Sequence, residues 1–136
     1  MENFKILRSI GAITRRVQND SNHRFKEIGL NNNLFIYLIR VVEQPGMFLT
    51  ELSNAVQIDR TTSFRTIKKL QSQDYLILSD DPVDKKIKRV YPTKKAKDIY
   101  PLLHNYEKKC SDALLQKLTK DEMIQLEYLL SKTVQS

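Results

Sequence analysis

The sequence has little of several residues on which particular chemistries depend. Its 136 residues include one Cys, two His, three Gly and no Trp. A single Cys excludes an intramolecular disulfide framework and suits a reducing compartment, so a cytoplasmic location is expected. Two His and one Cys are too few for a structural zinc site. Three Gly leave little room for a glycine-rich phosphate cradle, and no nucleophile–base set stands out. The chain therefore does not read as an enzyme, and no cofactor or metal is expected. No run approaches the roughly 18 apolar residues of a membrane span, and MENFKILRSIGAITRRVQ lacks the layout of a signal peptide. No membrane partner is expected.

Positive charge, by contrast, is present and concentrated. Between Asp59 and Lys97 stand eleven Lys and Arg against five Asp, which accounts for six of the seven net positive charges. The flanking segments are close to neutral. A charge run is often only a solvated face, but this concentration favours a polyanionic partner.

The apolar spacing divides the chain into short elements. Ile6, Ile10, Ile13 and Val17, widened by Phe4 and Leu7, predict a first helix from Glu2 to about Ile28, stopped by Gly29. Asn31–Asn33 offers N-caps to a second helix through Leu34, Tyr37, Leu38 and Val41, which Gln44-Pro45-Gly46 ends. Thr50 is read as the cap of a third helix with Leu52, Ala55 and Val56 inward. Asp59 is read as the cap of a fourth, where Phe64 or Ser63, Ile67 and Leu70 pack inward beneath a basic outer face. Leu76–Leu78 and Ile87–Tyr91 read as strands joined by a long connection with a mobile tip. Thr93 caps a fifth helix that contains Pro101, and Thr119-Lys120-Asp121-Glu122 forms a capping box for a sixth.

A helix, a turn near Gln57–Ile58, a basic helix and a charged hairpin follow one another from Leu49 to Pro92. That order describes a winged helix-turn-helix, a fold that offers one helix to a DNA groove and a wing beside it. The expected fold is mainly α with a small β-hairpin wing. Residues 30–95 would form the DNA-binding lobe and 1–29 with 96–136 a helical dimerisation region, all within one domain. The terminal helices carry more apolar surface than so small a lobe can cover, which suggests self-association. The alternative is that they thicken a monomer core.

Arg60, Thr61, Thr62, Arg65 and Thr66 are the candidates for the groove-facing surface, since Arg grips guanine with two bonds and a Thr methyl meets a thymine methyl. Thr61 and Thr62 have an alternative role in stabilising the first helical turn. Lys68, Lys69, Lys88 and Arg89 hold phosphates or sit in solvent. Lys85 and Lys86 at the hairpin tip are the minor-groove candidates. Cys110 reads as a small buried hydrophobe rather than a redox switch, and His23 and His104 as structural or surface residues.

Several of these segments resemble motifs of the MarR family of bacterial transcriptional regulators. They are Asp59-Arg60-Thr61-Thr62, Ile67-Lys68-Lys69-Leu70, Asp81-Pro82-Val83-Asp84-Lys85-Lys86, Thr93-Lys94-Lys95-Ala96, Tyr100-Pro101 and Leu118-Thr119-Lys120-Asp121-Glu122. The resemblance implies a homodimer on a pseudo-palindromic double-stranded DNA operator and, in many members, repression relieved by a small-molecule effector or an oxidant. By the same analogy Tyr37, His104 and Tyr106 would line an effector cleft. Three positions depart from the family pattern. Lys86 stands where Arg is usual and loses that residue's bidentate fork. Asp74 stands where a helix-ending Gly is usual, and Ala96 replaces a common Gly. The competing reading is a winged helix used for protein–protein assembly without DNA. It calls for an apolar outer face on the fourth helix, the reverse of what is written there.

Overall fold

The computed structural model describes residues 2–134. In order along the chain are α1 (Phe4–Phe25), α2 (Leu34–Glu43), β1 (Met47–Phe48), α3 (Leu49–Val56), α4 (Arg60–Ser72), β2 (Leu76–Asp80), β3 (Lys88–Pro92), α5 (Lys94–Leu115) and α6 (Lys120–Val134). The three strands form one antiparallel sheet in the order β1-β3-β2. The fold is mainly α with a small β wing. No helix among the described residues is long and apolar enough to cross a membrane. The chain forms two compact units, one through His104 and one from Asn105.

In the first unit the extensive packing lies among α2, α3, α4 and the sheet. Leu34, Phe35, Tyr37, Leu38, Ile39 and Val41, six of the ten residues of α2, are buried, and Leu52, Ile67, Leu70, Leu76 and Val90 close the core around it. The helix-turn-helix is α3, a turn at Gln57–Asp59, and α4. Gln57 adopts the left-handed region at φ 57°, and the Ile58 N–H returns to the Ser53 carbonyl at 3.2 Å. In the second unit the Glu122 carboxylate accepts from the Thr119 N–H and the Thr119 hydroxyl from the Glu122 N–H, the reciprocal box its spacing predicts.

Three local expectations need correction. Thr50 does not cap α3. Phe48 pairs with Arg89 in the sheet and leads directly into the helix, so α3 begins at Leu49, and it is Glu51 that accepts the Phe48 N–H at 2.9 Å. Asn33 does occupy the N-cap position of α2, but its side chain makes no cap bond; its contribution is tolerance of φ 68°. A two-residue strand, β1, joins the sheet where none was expected, with Met47 opposite Val90. The inward residue left open on α4 is Ser63, fully buried, with Phe64 half-exposed.

Gly29 ends α1 as expected, at φ 72°, and the Leu30 N–H returns to the Phe25 carbonyl at 3.0 Å. A Cβ at Gly29 would stand 2.6 Å from Gln73 Nε2, so steric exclusion adds to backbone strain. Gly29→Ala is therefore expected to lower stability by about 1–2 kcal/mol. The check is a shifted denaturant midpoint with an unchanged m-value, and a midpoint equal to wild type would contradict it.

Candidate nucleic-acid interface

The candidate surface is built by α4 and the hairpin. Asp59 starts α4 by accepting the Thr62 N–H at 2.9 Å. That bond, with a smaller coulombic pull from Arg65, holds the Asp59 carboxyl below the usual carboxylate range, as expected for an anion at a helix N-terminus. Ser63, Ile67 and Leu70 then face the core. Ser63 Oγ donates to the Ile58 carbonyl at 3.2 Å, and Tyr37 Oη lies 2.9 Å from the same Oγ. Since the single Ser63 proton is directed at Ile58, the Tyr37 hydroxyl donates to Ser63.

Opposite that buried face, Thr61, Arg65, Lys68 and Ser72 recur at 4-3-4 spacing and all are exposed. Lys69 widens the stripe on one side, and Arg60 and Thr62 are exposed on its first turn. Among the described residues Arg60, Arg65, Lys68 and Lys69 form no salt bridge. Thr66 is half-buried and returns its hydroxyl proton to the Thr62 carbonyl at 2.9 Å, so it offers a methyl and an acceptor rather than a donor. Ser72 extends the stripe by one turn beyond the residues picked out from sequence. Its 4-3-4 relation to Thr61 was the available signal.

The hairpin divides its cations into two kinds. Lys85 and Lys86 are exposed at the tip, without a salt bridge among the described residues. Lys88 is paired across the strands with Asp80. Arg89 is held internally. Its Nε donates to Asp81 Oδ1 at 2.7 Å, a terminal nitrogen donates to the Gly46 carbonyl at 2.8 Å, and the guanidinium lies 4.3 Å over the Phe48 ring. Arg89 thus fastens the wing to β1. Sequence reasoning missed this because the Asp81–Arg89 pair becomes visible only once the strand register is known.

Asp81 also shapes the tip. It is 7% exposed, and its Oδ2 accepts the Val83 and Asp84 N–H groups at 3.1 and 3.0 Å. Asp84 Oδ1 in turn accepts the Lys86 N–H at 3.0 Å. Val83 projects from this turn 95% exposed.

Elsewhere stand the residues grouped by analogy as effector candidates. Tyr37 is 1% exposed in the lobe core. His104 is exposed and stacks on Tyr100 at 5.6 Å. Tyr106 is buried in the second unit. Cys110 is a half-buried free thiol. No group of three or more His, Cys, Asp or Glu among the described residues is placed to hold a metal ion.

The Arg89 bond first, and then the Asp84 and Val83 N–H groups, hold the Asp81 carboxyl below the usual carboxylate range. Because the folded value lies below the unfolded one, the stabilisation is complete above the ordinary aspartate range. It disappears as pH falls through the lower, folded value. The Val83 and Asp84 amide resonances should accordingly titrate together, with a midpoint below that of an ordinary aspartate. A midpoint in the ordinary range would contradict this construction of the tip.

Known proteins agree with this architecture. No protein-family model matches the sequence. The chain is 37% identical over 127 residues to the HTH-type transcriptional regulator YybA of Bacillus subtilis (strain 168), covering 93% of this chain and 85% of that protein. The crystal structure of the transcriptional regulator SlyA superposes with a TM-score of 0.89 at 38% identity, over 94% of this chain and 90% of that one. A MarR-family transcriptional regulator from Listeria monocytogenes, crystallised in complex with a 26mer DNA, superposes with a TM-score of 0.91 at 35% identity, over 98% and 87%. Identity at this level along nearly the whole chain, on the same winged helix-turn-helix, means that the protein belongs to the MarR family of transcriptional regulators.

Proposed function

We propose that the protein is a homodimeric, sequence-specific reader of double-stranded DNA that represses transcription and is released by a small ligand or another signal. The observation that carries this reading is the exposed stripe of Thr61, Arg65, Lys68 and Lys69 on α4, basic and without internal salt bridges among the described residues, opposite a fully buried Ser63, Ile67 and Leu70. In this role α4 enters the major groove. There Arg60 and Arg65 reach base edges, Thr61, Thr62 and Thr66 meet methyl groups, and Lys68 and Lys69 hold phosphates. Lys85 and Lys86 approach the minor groove from the wing, and Lys88 reaches a phosphate only by exchanging its Asp80 partner for it. The complex of the Listeria relative with DNA supports a DNA partner.

Support for the dimer comes from the terminal helices. Phe4, Ile6, Leu7 and Ile10 on α1 are exposed, as are Ile124, Tyr128, Leu129 and Val134 on α6. Apolar side chains in such number on three-turn and longer helices call for cover, and a second copy of the chain supplies it with twofold symmetry. Two recognition helices related in this way match two half-sites on a pseudo-palindrome. Repression would be steric. A signal molecule would act by favouring a spacing of the two lobes that no longer fits the duplex.

Mobility shifts across a salt series test the reading. Arg65→Ala is expected to cost about 1–3 kcal/mol on the cognate duplex and little on a scrambled one. Lys69→Ala is expected to weaken both alike and to reduce the salt slope by about one. Equal losses on the two duplexes for Arg65→Ala would remove its base-reading role. Absence of binding at any salt would favour a protein-assembly module instead.

A further inference from the structure

The chain leaves the recognition helix through Gln73, Asp74 and Tyr75, and these three residues are bonded in two directions. Toward the end of α1, Gln73 Nε2 donates to the Gly29 carbonyl and the Tyr75 hydroxyl to the Ile28 carbonyl, each at 3.0 Å. Toward the start of α5, the Thr93 hydroxyl lies 2.6 Å from the Asp74 carbonyl and 3.1 Å from that of Tyr75, which also accepts the Thr93 N–H at 3.1 Å. Lys95 Nζ donates to the Gln73 carbonyl at 2.8 Å and stands 4.2 Å over the Tyr75 ring. Asp74, at φ 63°, turns the chain so that both sets of bonds form together.

Three details indicate a specific joint rather than incidental contact. Tyr75 is 4% exposed, and burial pushes its hydroxyl up, keeping it protonated and able to donate. Gln73 Oε1 is buried without a partner among the described residues, a cost accepted while the other end of the amide reaches Gly29. Gly29, having no Cβ, leaves the space that amide occupies. Two ties from α1, the Phe25–Phe35 ring pair and the Asn22–Asn32 bond, lead to α2 or the turn before it, whereas the 73–75 bonds act at the end of α4 itself.

We propose that Gln73 and Tyr75 are positioning residues that hold the recognition helix in a fixed orientation to α1 and α5, and so set which half-site spacing the protein accepts. The inference rests on the homodimer reading above. In a twofold dimer built on the terminal helices, each recognition helix is related to the symmetry axis through those helices, and the stiffness of the joint becomes selectivity for spacing. Reading within one half-site depends instead on the outer face of α4 and on its core contacts through Ser63, Ile67 and Leu70. The two properties are therefore separable by mutation.

The test uses the full chain carrying Tyr75→Phe, which removes one hydroxyl and keeps the ring beneath Lys95, and separately Gln73→Ala. Affinity is measured on duplexes with a single half-site and on a series whose two half-sites are moved apart one base pair at a time. Sedimentation reports the assembly state. Dimer mass and single-half-site affinity should match wild type, while the preference for the best spacing over its neighbours narrows roughly two- to tenfold, the size of one net hydrogen bond. An unchanged spacing preference, or a parallel loss on the single half-site, would overturn the positioning role. A wild-type protein that sediments as a monomer or is indifferent to spacing would instead refute the homodimer reading, and this inference with it.

Discussion

Burial of one narrow face of α4 is the constraint on which the rest of the molecule depends. Ser63, Ile67 and Leu70 are fully enclosed, so every other position on the helix is turned toward solvent or its margin. Serine at the first of these positions is small enough for close approach and polar enough to need a partner. The relay from Tyr37 through Ser63 to the Ile58 carbonyl satisfies it. Each such bond contributes only about 0.5–1.5 kcal/mol net, but leaving a buried hydroxyl unpaired costs about 1–3 kcal/mol, so the relay penalises any rotation of the helix that would break it. Orientation of the basic stripe follows from the core beneath it.

The same logic separates cations that are available to a partner from those that are not. By charge count the hairpin looks as strongly basic as α4. Yet Arg89 is occupied by Asp81, Gly46 and Phe48, and Lys88 faces Asp80. The free charge of the wing is at its tip, on Lys85 and Lys86, where Asp81 and Asp84 shape the turn through backbone N–H groups. Arg89 converts a net charge into a fixed wing angle. At the C-terminal end of α4, Gln73 and Tyr75 supply comparable ties to the Gly29 and Ile28 carbonyls.

Much of this was legible in the sequence wherever the signal is local. Asp59, Thr93 and the Thr119–Glu122 box cap helices through bonds spanning three residues, and each is formed. Gly29 and Gly46 mark left-handed turns as their positions suggest. The features that were not legible depend on register or on distant segments. β1 is two residues long, too short for any alternation to register, and it moves the start of α3 ahead of Thr50. Tyr37 looks like any aromatic on an apolar helix until Ser63, 26 residues later, supplies its partner. The Asp81–Arg89 pair and the Gln73–Gly29 bond likewise join residues whose proximity only the folded chain creates.

In the proposed homodimer two copies of α4, held in fixed relation, read two copies of one short sequence. Selection of bound duplexes from a random library by the full-length protein tests it most directly. The expected result is enrichment of two inverted half-sites centred about one helical turn, roughly 10–10.5 base pairs, apart. Recovery of unenriched sequence, or of a single half-site without its inverted mate, would contradict it.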